Sequence, residues 1–283
     1  MTILPFHKYH ALGNDFIVLD FLNKSRGGVS FEKLAAKICQ RNMAVGADGI
    51  LILSRSKLAD FKMEIYNSDG SHAERSGNGL RIAAVHYSLE YGAKRTIKVE
   101  SSGEILSALF TEVSMDNFIV EVSLGVPKFE TKLVPMKSKR KFHINQALKV
   151  GKTSYPATVL SVGNPHTVIF VDDFDFDWKM RGRQIETMPI FPARTNVEFA
   201  KVVNQGKIIL NDWERGAGAT GSSGTGAAAT VVAGAINGII KRKAEVVFPS
   251  GSLFIDWSEK DDIIHLAGPV CFICSGVFYN GER

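Results

Sequence analysis

The sequence repeats itself, and this repeat limits the folds open to the chain more than any other feature. Residues 13–20 (GNDFIVLD) are echoed by residues 163–172 (GNPHTVIFVD), each a Gly-Asn pair, a β-rich run and an Asp. Residues 76–84 (SGNGLRIAA) are echoed by residues 223–229 (SGTGAAA). Both pairs occur in the same order and at nearly equal separations. The chain therefore consists of two homologous halves, each one structural unit.

A stretch of small residues follows each Ser-Gly-x-Gly segment, at residues 80–91 and 227–240. Alanine favours helix and small side chains permit close packing, so we predict a buried helix at each place. Each Ser-Gly-x-Gly segment then opens onto a helix N-terminus, where free N–H groups and the helix dipole bind anions. Further β-rich runs predict strands at residues 50–53, 96–99, 118–122, 208–210 and 245–248.

These elements predict an α/β (α+β) fold in which each half is a mixed sheet around at least one buried helix. The chain has 283 residues, which is enough for two domains of ordinary size. Residues 125–127 (GVP) mark the boundary between them, because glycine and proline interrupt regular structure.

The charge and the cysteines do not indicate nucleic-acid or metal chemistry. The net charge is +5, but lysine and arginine are scattered apart from residues 137–141 (KSKRK), which we interpret as a solvated loop or helix end. Cys39, Cys271 and Cys274 are too few for a disulfide framework. Cys271 and Cys274 lie in a predicted strand, where positions i and i+3 face opposite sides, so a shared metal is not expected.

The sequence also lacks the apolar stretches that export or membrane insertion requires. The N-terminal residues contain no apolar run long enough for a signal peptide, and no run approaches a membrane span. We therefore expect a cytoplasmic protein.

Ser76 and Ser223 stand directly before the two predicted helices. Serine is a common N-cap, and this is one interpretation of each residue. If the halves pack about a pseudo-twofold axis, two helix N-termini face one cleft and hold a carboxylate, with a hydroxyl on each side. That arrangement suits epimerisation, in which one group removes the α-proton and another returns a proton from the opposite face.

Seven segments resemble the diaminopimelate epimerases, a family of cofactor-independent amino-acid epimerases. In chain order they are residues 10–16 (HALGNDF), 66–71 (YNSDGS), 76–79 (SGNG), 163–166 (GNPH), 194–199 (RTNVEF), 213–218 (WERGAG) and 223–226 (SGTG). The resemblance covers the whole chain. It implies two pseudo-symmetric domains, each a mixed β-sheet barrel around a central helix, with the active site in the cleft between them. It also implies that the last strand returns to the first domain, giving domains of residues 1–126 plus 270–283 and residues 127–269.

The same resemblance implies roles for individual residues. The α-carboxylate of the substrate would bind at Gly77, Asn78, Gly224 and Thr225. The substrate pocket would be lined by Asn14, Asn67, Asn164, Asn196, Glu214 and Arg215. Arg215 is suited to bidentate pairing with a carboxylate.

His166 and Glu214 are implied as auxiliary bases beside two catalytic positions, which are Ser76 and Ser223 here. Each auxiliary residue also has a structural interpretation. His166 follows Pro165 and could belong to a turn, and Glu214 could form a plain ion pair with its neighbour Arg215.

The two serines depart from the family, which uses a pair of cysteines at these positions. The pKa of a free thiol is about 8.5, whereas that of an alcohol is near that of water, about 15.7. This difference corresponds to roughly 10 kcal/mol. Serine is therefore a much weaker α-proton base unless a neighbour such as His166 or Glu214 activates it.

Three interpretations of the serines stay open. The chain is a natural epimerase with altered acid–base groups, a relative with another proton-transfer or elimination reaction, or a thiol enzyme whose cysteines were replaced to silence it. The function that the resemblance implies is epimerisation of LL-diaminopimelate to meso-diaminopimelate for lysine or peptidoglycan synthesis.

The alternatives from other classes are a related racemase or isomerase, including the phenazine-biosynthesis type, and a non-catalytic amino-acid-binding protein. No metal, nucleotide or pyridoxal cofactor is implied, since the glycine-rich loops lack both the P-loop and the dinucleotide patterns. The expected partner is a small amino acid, with neither nucleic acid nor membrane. A homodimer is a reasonable expectation.

Overall fold

The computed structural model describes residues 2–73, 76–92, 94–113 and 118–281, and omits the side chains of residues 112–113. The chain divides into two compact units. Unit 1 comprises Met1–Val122 and Gly268–Arg283, and unit 2 comprises Ser123–Ala267. None of the helices in the described part of the chain is long and apolar enough to cross a membrane.

Unit 1 contains most of the strands of the first half and two helices. Its elements are β1 (Thr2–Ala11), β2 (Asn14–Asp20), α1 (Phe31–Ile38), β3 (Gly49–Ser54), β4 (Phe61–Asn67), β5 (His72–Ala73), α2 (Gly77–Tyr91), β6 (Thr96–Ser101), β7 (Glu104–Val113), β8 (Phe118–Gly125) and the later part of β16 (Ile264–Asn280). The strand order is β1-β2-β3-β4-β6-β7-β8-β16, and β16 pairs antiparallel with β1. The eight strands therefore close into a barrel.

Helix α2 is the central helix of unit 1. Residues 78–86 are all buried, so the buried surface runs round the helix rather than along one stripe. The helix contacts β1, β2, β3, β4, β6 and β7. Helix α1 instead packs Leu34 and Ile38 against Ile17 and Leu19 of β2. Strand β2 is thus covered on both faces, which explains why its apolar run is continuous rather than alternating.

Unit 2 repeats much of this element order. Its elements are β9 (His143–Val150), β10 (Thr153–Ser161), β11 (Pro165–Phe170), α3 (Trp178–Glu186), β12 (Asn196–Asn204), β13 (Lys207–Trp213), α4 (Gly224–Ile236), β14 (Lys243–Phe248), β15 (Gly251–Trp257) and the start of β16. Its strands run in the order β9-β10-β11-β12-β13-β14-β15-β16. The pairs β2–β3 and β4–β6 of unit 1 are parallel, and so are the pairs β11–β12 and β13–β14 of unit 2.

Helix α4 occupies the place in unit 2 that α2 has in unit 1. Its residues 226–234 are buried, and it contacts β10, β11, β12, β14 and β15. Helix α3 packs Ile185 against the cluster that contains Val197 and Phe199. The predicted α/β (α+β) class with a sheet around a central helix is therefore confirmed, as are the five predicted strands.

One predicted element ends earlier than expected. The sequence predicted a helix to residue 240, but α4 ends at Ile236. Gly238 has a φ of 69°, and its N–H bonds to the carbonyl of Ala235 while the N–H of Ile239 bonds to that of Gly234. This is a Schellman termination, which glycine favours because it tolerates the left-handed region. A glycine inside an Ala-rich run was the overlooked stop signal.

Candidate active site

Ser76 and Ser223 are the N-caps of the two central helices. Ser76 Oγ accepts a hydrogen bond from the Gly79 N–H at 3.0 Å, and Ser223 Oγ accepts one from the Gly226 N–H at 3.1 Å. The capping interpretation is confirmed for both serines. Each hydroxyl retains its own O–H and lies at the positive end of a helix dipole, where negative charge is stabilised.

Two of the predicted binding residues meet in unit 1. Asn78, in the first turn of α2, donates from Nδ2 to Asn14 Oδ1 at 2.9 Å. Asn14, at the start of β2, donates from Nδ2 to Asp48 Oδ2 at 2.9 Å. Arg81 Nη2 donates to Asn78 Oδ1 at 2.8 Å. These bonds fix both amide orientations beside the helix N-terminus.

Asp48 is itself held by a charged network. Arg41 Nη2 donates to Asp48 Oδ1 at 2.8 Å and to Asp15 Oδ1 at 2.7 Å, and Lys8 Nζ lies 2.9 Å from Asp15 Oδ2. Burial of Asp15 opposes its ionisation, but the hydrogen bonds from Arg41 and Lys8 bring its pKa below the usual value. Asp15 is thus ionised at neutral pH, and both carboxyl groups behind Asn14 are bonded to Arg41.

Arg81 adds a buried positive charge one turn into α2. Its side chain is fully buried, and this burial lowers the pKa of the guanidinium to about 9. Nε and Nη1 lack a hydrogen-bond partner among the described residues. An incompletely paired cation near a helix N-terminus adds to the dipole in favouring an anion at Gly77 and Asn78.

Asn67 belongs to the same group of loops in unit 1. It ends β4, and its Nδ2 donates to Ser71 Oγ at 2.9 Å. The next residue, Ser68, donates its N–H to the carbonyl of Asp48 at 3.0 Å. Asp48 therefore ties the Asn67 turn through its backbone and Asn14 through its side chain.

In unit 2, His166 lies between two polar partners. His166 Nδ1 is 2.6 Å from Glu198 Oε1, and Nε2 is 2.8 Å from Asn164 Oδ1. Asn164 Nδ2 in turn lies 3.4 Å from Thr225 Oγ1 in the first turn of α4. The interpretation of His166 as a turn residue is wrong, because it is a fully buried residue of strand β11.

Glu198 lies directly against the first turn of α4. A Cβ placed on Gly226 would be 3.1 Å from Glu198 Oε1 and 3.1 Å from Ser223 Oγ. Glu198 is fully buried, and this burial raises the pKa of its carboxyl despite the opposing influence of His166. The His166–Glu198 pair therefore holds a proton close to Ser223.

A second pair of carboxyl groups lies at the end of β13. Thr220 Oγ1 contacts Asp212 Oδ2 at 2.8 Å and also makes a short contact with Glu214 Oε1. Burial raises the pKa of Asp212, and burial likewise raises that of Glu214 to about 7. One hydroxyl carries a single proton, so bonding to two carboxyl groups requires that one of them be protonated. Glu214 is thus suited to both giving and taking a proton near neutral pH.

Arg215 has different partners from Glu214. The Arg215 N–H donates to Asn196 Oδ1 at 2.8 Å, and its Nη1 donates to the carbonyl of Ala193 at 3.1 Å. Asn196 donates from Nδ2 to the carbonyl of Pro165 at 2.8 Å. The interpretation of Glu214 and Arg215 as a plain ion pair is therefore wrong. The exposed guanidinium retains donors for a ligand carboxylate.

The structure distributes the predicted site residues over both units. Unit 1 holds Asn14, Asn67, Ser76, Gly77 and Asn78, whereas unit 2 holds Asn164, His166, Asn196, Glu214, Arg215, Ser223, Gly224 and Thr225. Their catalytic and binding roles stay predictions.

Sequence reasoning missed Glu198, although a signal was present. Glu198 stands two residues after Asn196 in the same strand, and alternate residues of a strand share a face. Once Asn196 is assigned to the pocket, Glu198 faces the same side. The parallel pairing of β11 with β12, which sets His166 opposite Asn196, could not be read from the chain.

Comparisons with known proteins identify the family. The chain matches the diaminopimelate epimerase family profile over residues 6–130 and 158–273. It is 40% identical over 279 residues to the diaminopimelate epimerase of Carboxydothermus hydrogenoformans. The alignment covers 98% of this chain and 100% of that relative. It is 41% identical over 279 residues to that of Pelotomaculum thermopropionicum, covering 97% and 99%.

The chain belongs to the diaminopimelate epimerase family. Solved structures with the same fold extend beyond this family. A PhzF-family phenazine biosynthesis protein of Bacillus anthracis superposes with a TM-score of 0.68 at 15% identity, covering 99% of this chain and 100% of that one. A hydroxyproline epimerase of Agrobacterium vitis gives 0.67 at 13% identity, covering 98% and 91%. At these identities the likeness concerns the fold alone.

Proposed function

We propose that this chain is an isomerase of the diaminopimelate epimerase type, converting LL-diaminopimelate to meso-diaminopimelate by two-base proton transfer. The observation that carries the proposal is that Ser76 and Ser223 cap equivalent central helices in a chain of this family. Each serine stands where an oxygen anion is stabilised by a helix N-terminus. Lysine and peptidoglycan synthesis, a cytoplasmic location and pseudo-symmetric halves belong to the same proposal.

Each central helix offers backbone N–H groups to a substrate carboxylate, at Gly77 and Asn78 in unit 1 and at Gly224 and Thr225 in unit 2. Their first-turn N–H groups lack partners within the helix. Arg215 takes the distal carboxylate through its remaining guanidinium donors. The support is the exposed position of Arg215 and the anchoring of its backbone by Asn196.

The proton-transfer groups are the two serine hydroxyls assisted by neighbouring acids and bases. His166 with Glu198, and Glu214 with Thr220, are the groups of unit 2 able to take a serine proton. Assistance of this kind lowers the cost of forming an alkoxide but does not remove the roughly 10 kcal/mol gap to a thiolate. The chain as given is therefore a slow epimerase compared with one that carries thiols.

The test is deuterium entry at the α-carbon of LL-diaminopimelate in D2O, followed by mass spectrometry with separation of the stereoisomers. A two-base reaction places deuterium in the inverted product before it enters the remaining substrate, because different groups remove and return the proton. The Ser76→Cys/Ser223→Cys variant restores thiols. A Ser25→Cys/Ser154→Cys variant, at two exposed serines, is the matched control.

Exchange by the chain as given, above the rate of heat-treated protein, supports serine chemistry. Exchange only in the Ser76→Cys/Ser223→Cys variant supports the substrate assignment and shows that the serines silence the reaction. No exchange in either form would contradict the proposal.

A non-catalytic amino-acid-binding protein is the second candidate, and the weak basicity of the two hydroxyls favours it. This candidate predicts binding of diaminopimelate by calorimetry with no deuterium entry at long incubation. Loss of binding in Arg215→Ala, with exchange still absent in the thiol variant, would support it over the enzyme.

A further inference from the structure

A cluster of metal-ligating side chains lies in unit 1, apart from the residues described above. His7, His86 and Glu90 each offer a ligand atom, and these three atoms lie within 4.8 Å of one another. His7 Nε2 is 3.6 Å from Glu90 Oε1, and the rings of His7 and His86 have centroids 4.7 Å apart. We propose that these three residues bind a divalent transition-metal ion, with zinc as its simplest representative.

The local structure explains why these side chains converge. His86 and Glu90 are four residues apart on α2, which places them on one face of the helix. His7 reaches them from β1, a strand that packs against α2. The separation of the His7 and Glu90 ligand atoms is close to that of two ligands on one tetrahedral zinc, for which metal–ligand bonds are about 2.0–2.2 Å.

The charge of the cluster suits a divalent cation. Asp20 Oδ2 lies 3.3 Å from His86 Nε2, so Asp20 and Glu90 bring two carboxylates to two imidazoles. The site also lies near the C-terminal end of α2, where the helix dipole favours a cation and the last turn carries no basic residue.

The surroundings of His86 supply outer support for a metal ligand. Its Nδ1 lies 3.1 Å from the Tyr9 hydroxyl and its Nε2 contacts Asp20, which is also bound by the Tyr91 hydroxyl at 2.7 Å. Ligating histidines are usually oriented by a carboxylate or other acceptor on the second ring nitrogen. A metal–nitrogen bond replaces one of these two contacts while the other keeps the ring oriented.

The cluster is accessible from solvent while its inner ligand is fixed. The side chain of Glu90 is 45% exposed and that of His7 is 28% exposed, whereas that of His86 is fully buried. A small ion can therefore enter without opening the core. Since one ligand comes from β1 and two from the helix inside the barrel, bound metal cross-links these two elements.

The experiment is titration of the intact chain with Zn²⁺ by calorimetry, together with the absorption spectrum of the Co²⁺ complex. We expect one Zn²⁺ per chain, a melting temperature raised by about 2–6 °C at saturating metal, and Co²⁺ bands of nitrogen and oxygen ligands without thiolate charge transfer. His7→Ala and Glu90→Gln, both at accessible side chains, should each weaken binding at least tenfold. His265→Ala, which removes an imidazole in unit 2, should leave it unchanged.

Three results would overturn the proposal. They are absence of binding at millimolar Zn²⁺, binding unchanged in both His7→Ala and Glu90→Gln, and a Co²⁺ spectrum with thiolate bands from Cys271 or Cys274. Circular dichroism of each variant without metal establishes that it is folded, so a lost site is not confused with a lost fold. The test is independent of epimerase activity.

Discussion

At the scale of single residues, unit 2 contains a group of carboxyl side chains whose pKa values are raised, close to the first turn of α4. Glu198, Asp212 and Glu214 all have a pKa raised chiefly by burial, and His166 stands among them. Titratable groups whose pKa values are strongly perturbed by burial cluster at functional sites. Two measurable consequences follow from individual members of the group.

The first consequence concerns how the free energy of unfolding depends on pH. The pKa of Glu214 is about 7 in the folded protein, above its ordinary value of 4.5. Between these pH values the folded chain holds a proton that the unfolded chain has released, so stability falls as pH rises from 4.5 to 7 and then levels off. Between pH 5 and pH 8 the free energy of unfolding of Glu214→Gln should fall by roughly 2 kcal/mol less than that of the parent. Urea unfolding at each pH measures this difference. Glu245→Gln, at a partly exposed ion pair with Lys207 and with a pKa lowered rather than raised, is the control. Parallel curves for parent and Glu214→Gln would contradict the assignment.

The second consequence concerns Glu198 as a positioning residue for His166. An amide at residue 198 can either accept a hydrogen bond from His166 Nδ1 or donate one to it, so the His166 tautomer is no longer fixed. In the Ser76→Cys/Ser223→Cys background, Glu198→Gln should slow deuterium exchange about ten- to a hundredfold. Nitrogen-15 spectra of the imidazole should shift together with it. An unchanged His166 spectrum would show that Glu198 has only a packing role.

The sequence anticipated the residues of the site better than their connections. Asn14 and Asn78 were assigned separately, and the structure joins them through a direct hydrogen bond. Asp48 and Arg81, which hold this pair, were not predicted, because their contribution depends on contacts across the barrel rather than on local pattern.

At the scale of elements, the residue type that best caps the two central helices differs from the one that best removes an α-proton. Ser76 and Ser223 cap α2 and α4 through their hydroxyl oxygens. Sulfur is a weak hydrogen-bond acceptor, so a thiol at either position caps less well. Serine at these two positions therefore stabilises the helix N-termini more than cysteine does, whereas cysteine is the better base for α-proton removal.

We expect the Ser76→Cys/Ser223→Cys variant to be about 1–2 kcal/mol less stable than the parent while gaining exchange activity. Urea unfolding measures the first quantity and deuterium entry the second. Ser30→Ala, at the N-cap of α1, gives the value of a cap outside the site. A thiol variant as stable as the parent would mean that these caps contribute little.

The two central helices were predictable because their signals are local, whereas α1 (Phe31–Ile38) and α3 (Trp178–Glu186) were not predicted. Ser-Gly-x-Gly followed by small residues located the starts of α2 and α4 within a few residues. The closing pair of the unit 1 barrel, β1 with β16, was not predictable from pattern, because Thr2 and Asn280 meet from opposite ends of the chain. The return of the last strand came only from the family resemblance.

At the scale of the whole molecule, β16 belongs to both units. Its first residues, up to Ala267, are part of unit 2, and the residues from Gly268 complete the barrel of unit 1. Strand β1 depends on this later part for one of its two neighbours. The integrity of the first unit therefore depends on the last residues of the sequence.

A chain ending at Ala267 should keep unit 2 folded while unit 1 loses its closure. Hydrogen exchange read by mass spectrometry should show peptides of β1 and β2 exchanging at least tenfold faster. Peptides of β11 and β12 should keep their protection. Protection of β1 equal to that in the full chain would show that the barrel of unit 1 holds without its last strand.

The shared strand also sets an order of events during synthesis. When β8 leaves the ribosome, nearly half of the polypeptide, including β16 as one of the two partners of β1, has not yet been made. Because synthesis proceeds at about 5–20 residues per second, one backbone edge of β1 stays unpaired for roughly 10–30 s before β16 is made. Such edges invite pairing with other chains, so nascent unit 1 is the part of this protein most in need of a chaperone. The C-terminal half can finish its sheet first, a reversal of the usual direction of vectorial folding.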